Sequence, residues 1–201
     1  MIREAKNSVP VINLDGPDGN AFALMAYAKL YARDVGSDYQ GFDYVMRWND
    51  PASWAASREA ATKSPKLEKF FQRVSRKPSG ELVGSLEGLN LDLSVSADSF
   101  GNIKVFRVYV WDPAPGQTQQ LLENFATAKR IHESLGARVE SYSEGIGGTG
   151  NFHYTLGFES WGTLAEFFVK LATNEEWAAF QASNDPTAAT LVHSYQASGL
   201  N

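Results

Sequence analysis

The spacing of apolar side chains in the second half of the chain predicts four strands and two helices. Between residues 152 and 159 every second residue is large and apolar, which is the period of a half-buried strand. In the first predicted helix, apolar residues recur at steps of three and four instead, so one face has a continuous stripe of Leu121, Phe125, Ala128, His132 and Leu135. The pattern therefore predicts a β-α-β-β-α-β order, with strands at 103–111, 137–144, 152–159 and 190–196 and helices at 117–135 and 161–183.

A related pattern occurs in the first half of the chain. Residues 41–48 align with residues 151–158 at an offset of 110, and a helical pattern follows each of these strands. Further upstream the best match has an offset of 100, where Ala28-Lys29 aligns with Ala128-Lys129, and it predicts a helix that ends at Gly36. The change of offset indicates that residues are missing after Gly36, where a second strand would be expected.

These patterns predict an α+β protein built from two tandem ferredoxin-like repeats. The first repeat would span residues 1–90 and would lack strand 2 or have a shortened one, which is easiest to lose at a sheet edge. A polar linker at 91–102 would join it to the second repeat at 103–201.

Four sequence runs in the second repeat resemble the dimeric α+β barrel superfamily, and within it the NIPSNAP-like branch. They begin with Val105-Phe106-Arg107-Val108-Tyr109 and with Ala128-Lys129-Arg130-Ile131-His132, and the others lie at residues 154–160 and 174–180. The resemblance implies that the bare faces of two sheets pack together into a barrel, either within one chain or between subunits. It implies a fold more strongly than a chemistry.

Composition narrows the classes of function. The chain of 201 residues has no cysteine, which excludes disulfides and thiolate chemistry. Its net charge of -5 argues against nucleic acid as a partner, and no apolar run is long enough to cross a membrane. The sequence also lacks a signal-peptide pattern, so we expect a cytoplasmic protein that binds neither nucleic acid nor membrane.

Candidate catalytic residues come from the mixed polar positions of the predicted strands. If the more apolar faces lie under the helices, then His153, Arg107 and Tyr109 would point into the barrel. Four further residues could join them as ligand-binding groups, namely Glu140, Tyr142, His193 and Tyr195. Such a set would offer a base, a phenol and a guanidinium for proton transfer on a small oxygenated molecule. The competing interpretation is a hydrogen-bonded polar layer between two sheets.

Two other features favour simpler interpretations. The three histidines have no metal-ligand spacing, so no metal site is predicted, and no other motif predicts a cofactor. The glycine-rich run 145–150 lies between two strands and lacks the Lys-Ser/Thr ending of a phosphate loop, which favours a hairpin.

Three functional hypotheses remain open at this point. The first is a homo-oligomeric protein that binds a small hydrophobic ligand, or forms an assembly, without catalysis of its own. The second is a cofactor-independent monooxygenase or isomerase acting on a small hydrophobic carbonyl or phenolic substrate. The third is haem binding, for which His153 or His193 would have to serve as the axial ligand.

Overall fold

The computed structural model of the protein describes residues 27–36, 41–78 and 82–199. Within these residues it contains seven strands and five α-helices, which confirms an α+β fold. In chain order the elements are β1 (Tyr27–Val35), β2 (Phe42–Arg47), α1 (Pro51–Thr62), α2 (Pro65–Arg76), β3 (Gly88–Asn90), β4 (Val105–Pro113), α3 (Thr118–Ser134), β5 (Arg138–Glu144), β6 (Phe152–Phe158), α4 (Trp161–Ala172), α5 (Glu175–Ser183) and β7 (Ala189–Gly199). None of the helices in this part of the chain is long and apolar enough to span a membrane.

The strands form one sheet in the order β2-β1-β7-β4-β6-β5-β3. Its four central strands are β7, β4, β6 and β5, and each neighbouring pair is antiparallel. With α3 between β4 and β5, and with α4 and α5 between β6 and β7, this is the ferredoxin-like topology predicted for the second repeat. Most of the sheet and helices α3 to α5 form one compact unit, to which residues 28–45 and the chain from Ser85 onward belong, whereas α1, α2 and the outer ends of β1 and β2 belong to a second unit.

The main hydrophobic core lies between the central strands and the helices that cover them. Helix α3 buries the predicted stripe, including Leu121, Phe125 and Ala128, against Tyr154 and Leu156 of β6. Helix α4 begins at a capping box in which Ser160 and Thr163 bind each other's backbone N–H groups, and it buries Leu164 and Phe167 in the same core. Helices α3 and α4 therefore cover one face of the central strands.

The segment before Gly36 differs from its prediction. Residues 27–35 form strand β1, which pairs with β7, so the predicted helix ending at Gly36 is wrong. The sequence Tyr27–Val35 is rich in good helix formers, but pairing with a neighbouring strand overrides such weak local preferences. The structure therefore has a strand just before Gly36, next to the point where the sequence predicts a short or missing strand.

The segment predicted as a linker is packed against the sheet. Residues Ala97–Phe100 form a 3₁₀ helix, and the Phe100 side chain is only 1% exposed. Its ring stacks on Phe106 of β4, and the Arg138 side chain donates a hydrogen bond to the Ser99 hydroxyl. One end of the sheet face opposite the helices is therefore covered by the chain that precedes β4.

A buried histidine lies in the helix-covered core. The Nδ1 atom of His132 is 2.8 Å from the Tyr154 hydroxyl, and its ring contacts Phe167 and Trp177. Burial lowers the pKa of His132 to about 4. The His132 ring is therefore neutral in the folded protein at neutral pH.

We expect this residue to make folding sensitive to mild acid. Below the ordinary histidine pKa of about 6.5, the unfolded chain binds a proton that buried His132 does not, so the free energy of unfolding should fall by up to about 1.4 kcal/mol per pH unit until pH approaches 4. Denaturant unfolding at pH 7 and pH 5 would measure this loss. His132→Gln should show a smaller loss between the two values, while any contribution from other histidines remains the same in both proteins. An equal loss in the variant would contradict this account.

Candidate functional site

The face of the sheet opposite the helices brings together His153 and all four of the predicted ligand-binding residues. His193 of β7 and His153 of β6 are both paired with Val110 of β4, and His153 is also paired with Tyr142 of β5. Because directly opposed residues in a sheet point to the same face, these side chains form one row. The next row on this face runs across the four strands through Tyr195, Val108, Thr155 and Glu140.

This face is concave. Strands β2 and β6 are four positions apart in the sheet, which would place them about 19 Å apart if the sheet were flat. The charges of Arg33 on β1 and Asp43 on β2 nevertheless act on the pKa of His153 on β6. The sheet therefore curls toward the side on which His153 lies.

A buried histidine–carboxylate pair is the main chemical feature of the concave face. The Nε2 atom of His153 is 2.7 Å from Oε1 of Glu144, which ends strand β5. The side chains of His153 and Glu144 are only 8% and 7% exposed. The other ring nitrogen of His153, Nδ1, is buried and has no hydrogen-bond partner among the described residues.

The pKa shifts of the two groups determine where the proton lies. Burial acts to raise the pKa of Glu144, but hydrogen bonds from His153, Thr149 and Asn151 outweigh it and lower this pKa to about 2. Burial lowers the pKa of His153, although the hydrogen bond and charge of Glu144 partly oppose the effect. At neutral pH the pair is therefore a carboxylate and a neutral imidazole. A carboxylate only accepts hydrogen bonds, so Nε2 has the proton and Nδ1 has a lone pair.

Two pairs of aromatic rings lie on the concave face, one on each side of Val110. The Tyr142 ring stacks on the His153 ring with centroids 4.4 Å apart. Across Val110, the rings of His193 and Tyr195 form a second pair with centroids 5.4 Å apart. His153 therefore lies in a row of aromatic side chains that is interrupted only by Val110.

A charged group lies beside the second aromatic pair. The Arg33 guanidinium is 4.1 Å from the centroid of the Tyr195 ring. Its Nη2 and Nε atoms also bind the Asp43 carboxylate at 2.7 and 2.9 Å. The concave face thus has a paired cation near its aromatic surface and not an isolated one.

Two of the three predicted catalytic residues lie on the other face of the sheet. Arg107 and Tyr109 are paired with Leu156 and Tyr154, whose side chains belong to the helix-covered core. The prediction that they point into the barrel beside His153 is therefore wrong. Arg107 instead donates a hydrogen bond to Gln196 at 3.1 Å and lies 4.5 Å from the Phe168 ring centroid.

Glu144 is the residue of this candidate site that the sequence analysis missed. Its side chain shares the face of Glu140 and Tyr142 because these residues alternate along β5. The signal that could have identified it is its place two residues beyond Tyr142, at the hairpin end where β5 and β6 meet. Glu140 is itself buried on this face, one row from His153.

Two other findings limit what kind of site this is. No group of three or more His, Asp or Glu residues in the described part of the chain could hold a metal ion. A separate recess lies near the end of α3, where it is lined by Glu133, Arg138 and Glu159 among others, and it does not include His153.

The structure is similar to solved structures at low sequence identity. One is a candidate monooxygenase from Fusobacterium nucleatum subsp. nucleatum, with a TM-score of 0.50 and 11% identity over 90% of this chain and 79% of that chain. Another is an anthrone oxidase-like protein, with a TM-score of 0.46 and 12% identity over 90% and 80% of the two chains. No family model and no curated protein matches the chain. The likeness to the first of these supports an α+β barrel fold, as expected from the sequence.

The placement of Arg107 gives a testable prediction. Arg107→Ala should lower the free energy of unfolding by about 1–2 kcal/mol, because it removes a hydrogen bond and a cation–π contact on the helix-covered face. It should leave the NMR titration of His153 unchanged, since the two side chains lie on opposite faces. A shifted His153 titration with unchanged stability would place Arg107 in the site after all.

Proposed function

We propose that the concave face binds a small hydrophobic carbonyl or phenolic compound and that His153 removes a proton from it. Such a step begins a cofactor-independent isomerisation, or an oxygenation if molecular oxygen then reacts with the anion. The observation that supports this most directly is the buried, unpartnered Nδ1 of His153, opposite an Nε2 that is hydrogen-bonded to Glu144.

The pair has the features of a general base. A neutral imidazole can accept a proton, and an adjacent carboxylate stabilises the imidazolium that forms. Glu144 acts in this sense, since its hydrogen bond and charge raise the pKa of His153 against the effect of burial. Because the pair is buried, the interaction is screened less than it would be in water.

The surroundings favour a flat and weakly polar ligand. Tyr142 and the pair His193 and Tyr195 offer ring faces and one or more hydroxyl groups on either side of Val110. Aromatic walls with few polar groups are typical of sites for hydrophobic small molecules. The Arg33–Asp43 ion pair lies beside the Tyr195 ring, and because its two charges offset each other it adds no net charge to this surface.

We also propose that the two halves of the chain are tandem repeats of the NIPSNAP-like branch. The element boundaries support a single offset of 110: β2, α1 and α2 begin 110 residues before β6, α4 and α5. At the same offset, residues 28–34 of β1 correspond to β5 (Arg138–Glu144), so both halves have a hairpin of the same kind. The counterpart of α3 would fall within residues 8–24, outside the described residues.

Deuterium exchange into β-tetralone, a hydrophobic carbon acid, tests the proposed activity. In deuterium oxide, the wild-type protein should exchange the methylene protons next to the carbonyl faster than an equal concentration of free imidazole does. His153→Gln should lose roughly 100-fold or more of this rate, as expected when a general base is removed. Proton NMR of the ketone measures exchange, and oxygen uptake in the same sample distinguishes oxygenation from isomerisation.

Two controls make the exchange result specific. Arg107→Ala alters a polar residue on the opposite face of the sheet and should retain most of the rate, and circular dichroism should show that both variants are folded. A wild-type rate no higher than that of imidazole would contradict the proposal, as would an unchanged rate in His153→Gln. Saturable binding of β-tetralone without exchange would favour the non-catalytic binding hypothesis, and a Soret band in the purified protein would favour haem binding.

A further inference from the structure

The glycine-rich hairpin between β5 and β6 is wrapped around the Glu144 carboxylate. Oε2 of Glu144 accepts hydrogen bonds from the Thr149 backbone N–H at 2.7 Å, the Thr149 hydroxyl at 3.0 Å and the Asn151 backbone N–H at 3.2 Å. Its other oxygen, Oε1, is bound to His153. The hairpin thus provides three donors for one oxygen and leaves the other to the imidazole.

Glycine is required where the hairpin closes on this side chain. A Cβ atom at Gly148 would lie 2.5 Å from Cβ of Glu144 and 2.9 Å from its Oε2, so the carboxylate would have to move. Gly147 has a φ of +85°, and a Cβ there would lie 2.2 Å from the Ser85 carbonyl oxygen. Larger residues at these positions would displace either Glu144 or the backbone that supports the hairpin.

The hairpin is also attached to the chain segment before β3. The Glu87 N–H donates to the Ile146 carbonyl at 2.9 Å, and the Gly145 N–H donates to the Glu87 carbonyl at 2.7 Å. These two backbone hydrogen bonds hold the start of the hairpin against a neighbouring extended segment.

We propose that the hairpin 145–150 is a positioning device for the histidine–carboxylate pair, with Thr149 as its main positioning residue. By binding Oε2, it orients the carboxylate so that Oε1 accepts the Nε2 proton of His153. This selects the imidazole tautomer that has its lone pair on Nδ1. Because the value of that tautomer depends on His153 acting as a base, the inference rests on the proposed function.

This arrangement also explains what the glycine-rich run binds. Backbone N–H groups in such loops commonly surround phosphate oxygens. Here the N–H groups of Thr149 and Asn151 point instead to a carboxylate of the same chain. The anion held by this loop is therefore Glu144, and its effect is transmitted to His153.

Nitrogen-15 NMR of histidine-labelled protein at neutral pH tests the proposal without a substrate. In the wild-type protein, His153 should show a protonated Nε2 and an unprotonated Nδ1. Thr149→Val removes the hydroxyl donor and should shift part of the His153 population to the other tautomer, whereas Thr149→Ser should retain the wild-type spectrum. Gly148→Ala should produce a larger shift than Thr149→Val, because the carboxylate itself must move.

A matched variant at the hairpin tip controls for general loop damage. Ile146 is 80% exposed, so Ile146→Ser should leave both the His153 spectrum and the fold unchanged. Wild-type tautomers in both Thr149→Val and Gly148→Ala would overturn the proposal, and so would a protonated Nδ1 in the wild-type protein. If the Ile146 and Thr149→Val variants shift equally, the hairpin has only a structural role.

The same samples separate this inference from the proposed function. If the variants shift the tautomer as expected but the wild-type protein exchanges no protons of β-tetralone, the positioning role stands and the proposed activity fails. If His153→Gln abolishes exchange while Thr149→Val changes neither tautomer nor rate, the activity stands and the positioning role fails.

Discussion

The hydrogen bond between Glu144 and His153 is the interaction on which the chemistry of the concave face depends. A buried imidazole without a charged partner would be a weak base, because burial lowers its pKa. A buried carboxylate without donors would be protonated more readily. Each group therefore corrects the effect of burial on the other, and together they leave one nitrogen with a lone pair that faces away from the pair.

The fold can bury such a pair because the two faces of the sheet have different surroundings. Tyr154 and Leu156 of β6 are buried under the helices, while His153 and Thr155 of the same strand face the concave side. A strand of alternating residues can thus contribute to a core and to a site at once. The hydrophobic side provides stability, and the other side can retain polar groups that a simple core would exclude.

The sequence patterns predict the strands of the central sheet better than they predict which side of each strand lies under the helices. The β4–β7 unit followed from periodicity, since its helices have clear stripes and its strands alternate. Strand β4 has large apolar residues on both faces, such as Val105 and Phe106, so alternation could not show which set lay under the helices. For that reason alternation predicts the wrong face for Arg107, whereas Tyr154 and its neighbours predict the face on which His153 lies.

Two other differences have physical causes that a single sequence does not reveal. Residues 27–35 have helix-forming composition but form a strand because β7 offers an edge for pairing. Glu144 has the appearance of an exposed residue at a strand end, and only the return of the hairpin brings Thr149 and Asn151 onto it.

Neutron diffraction from crystals at neutral pH would test the account most directly. It predicts a deuteron on Nε2 of His153, none on Nδ1 and an ionised Glu144, whereas a deuteron on Nδ1 or on the carboxylate would contradict it.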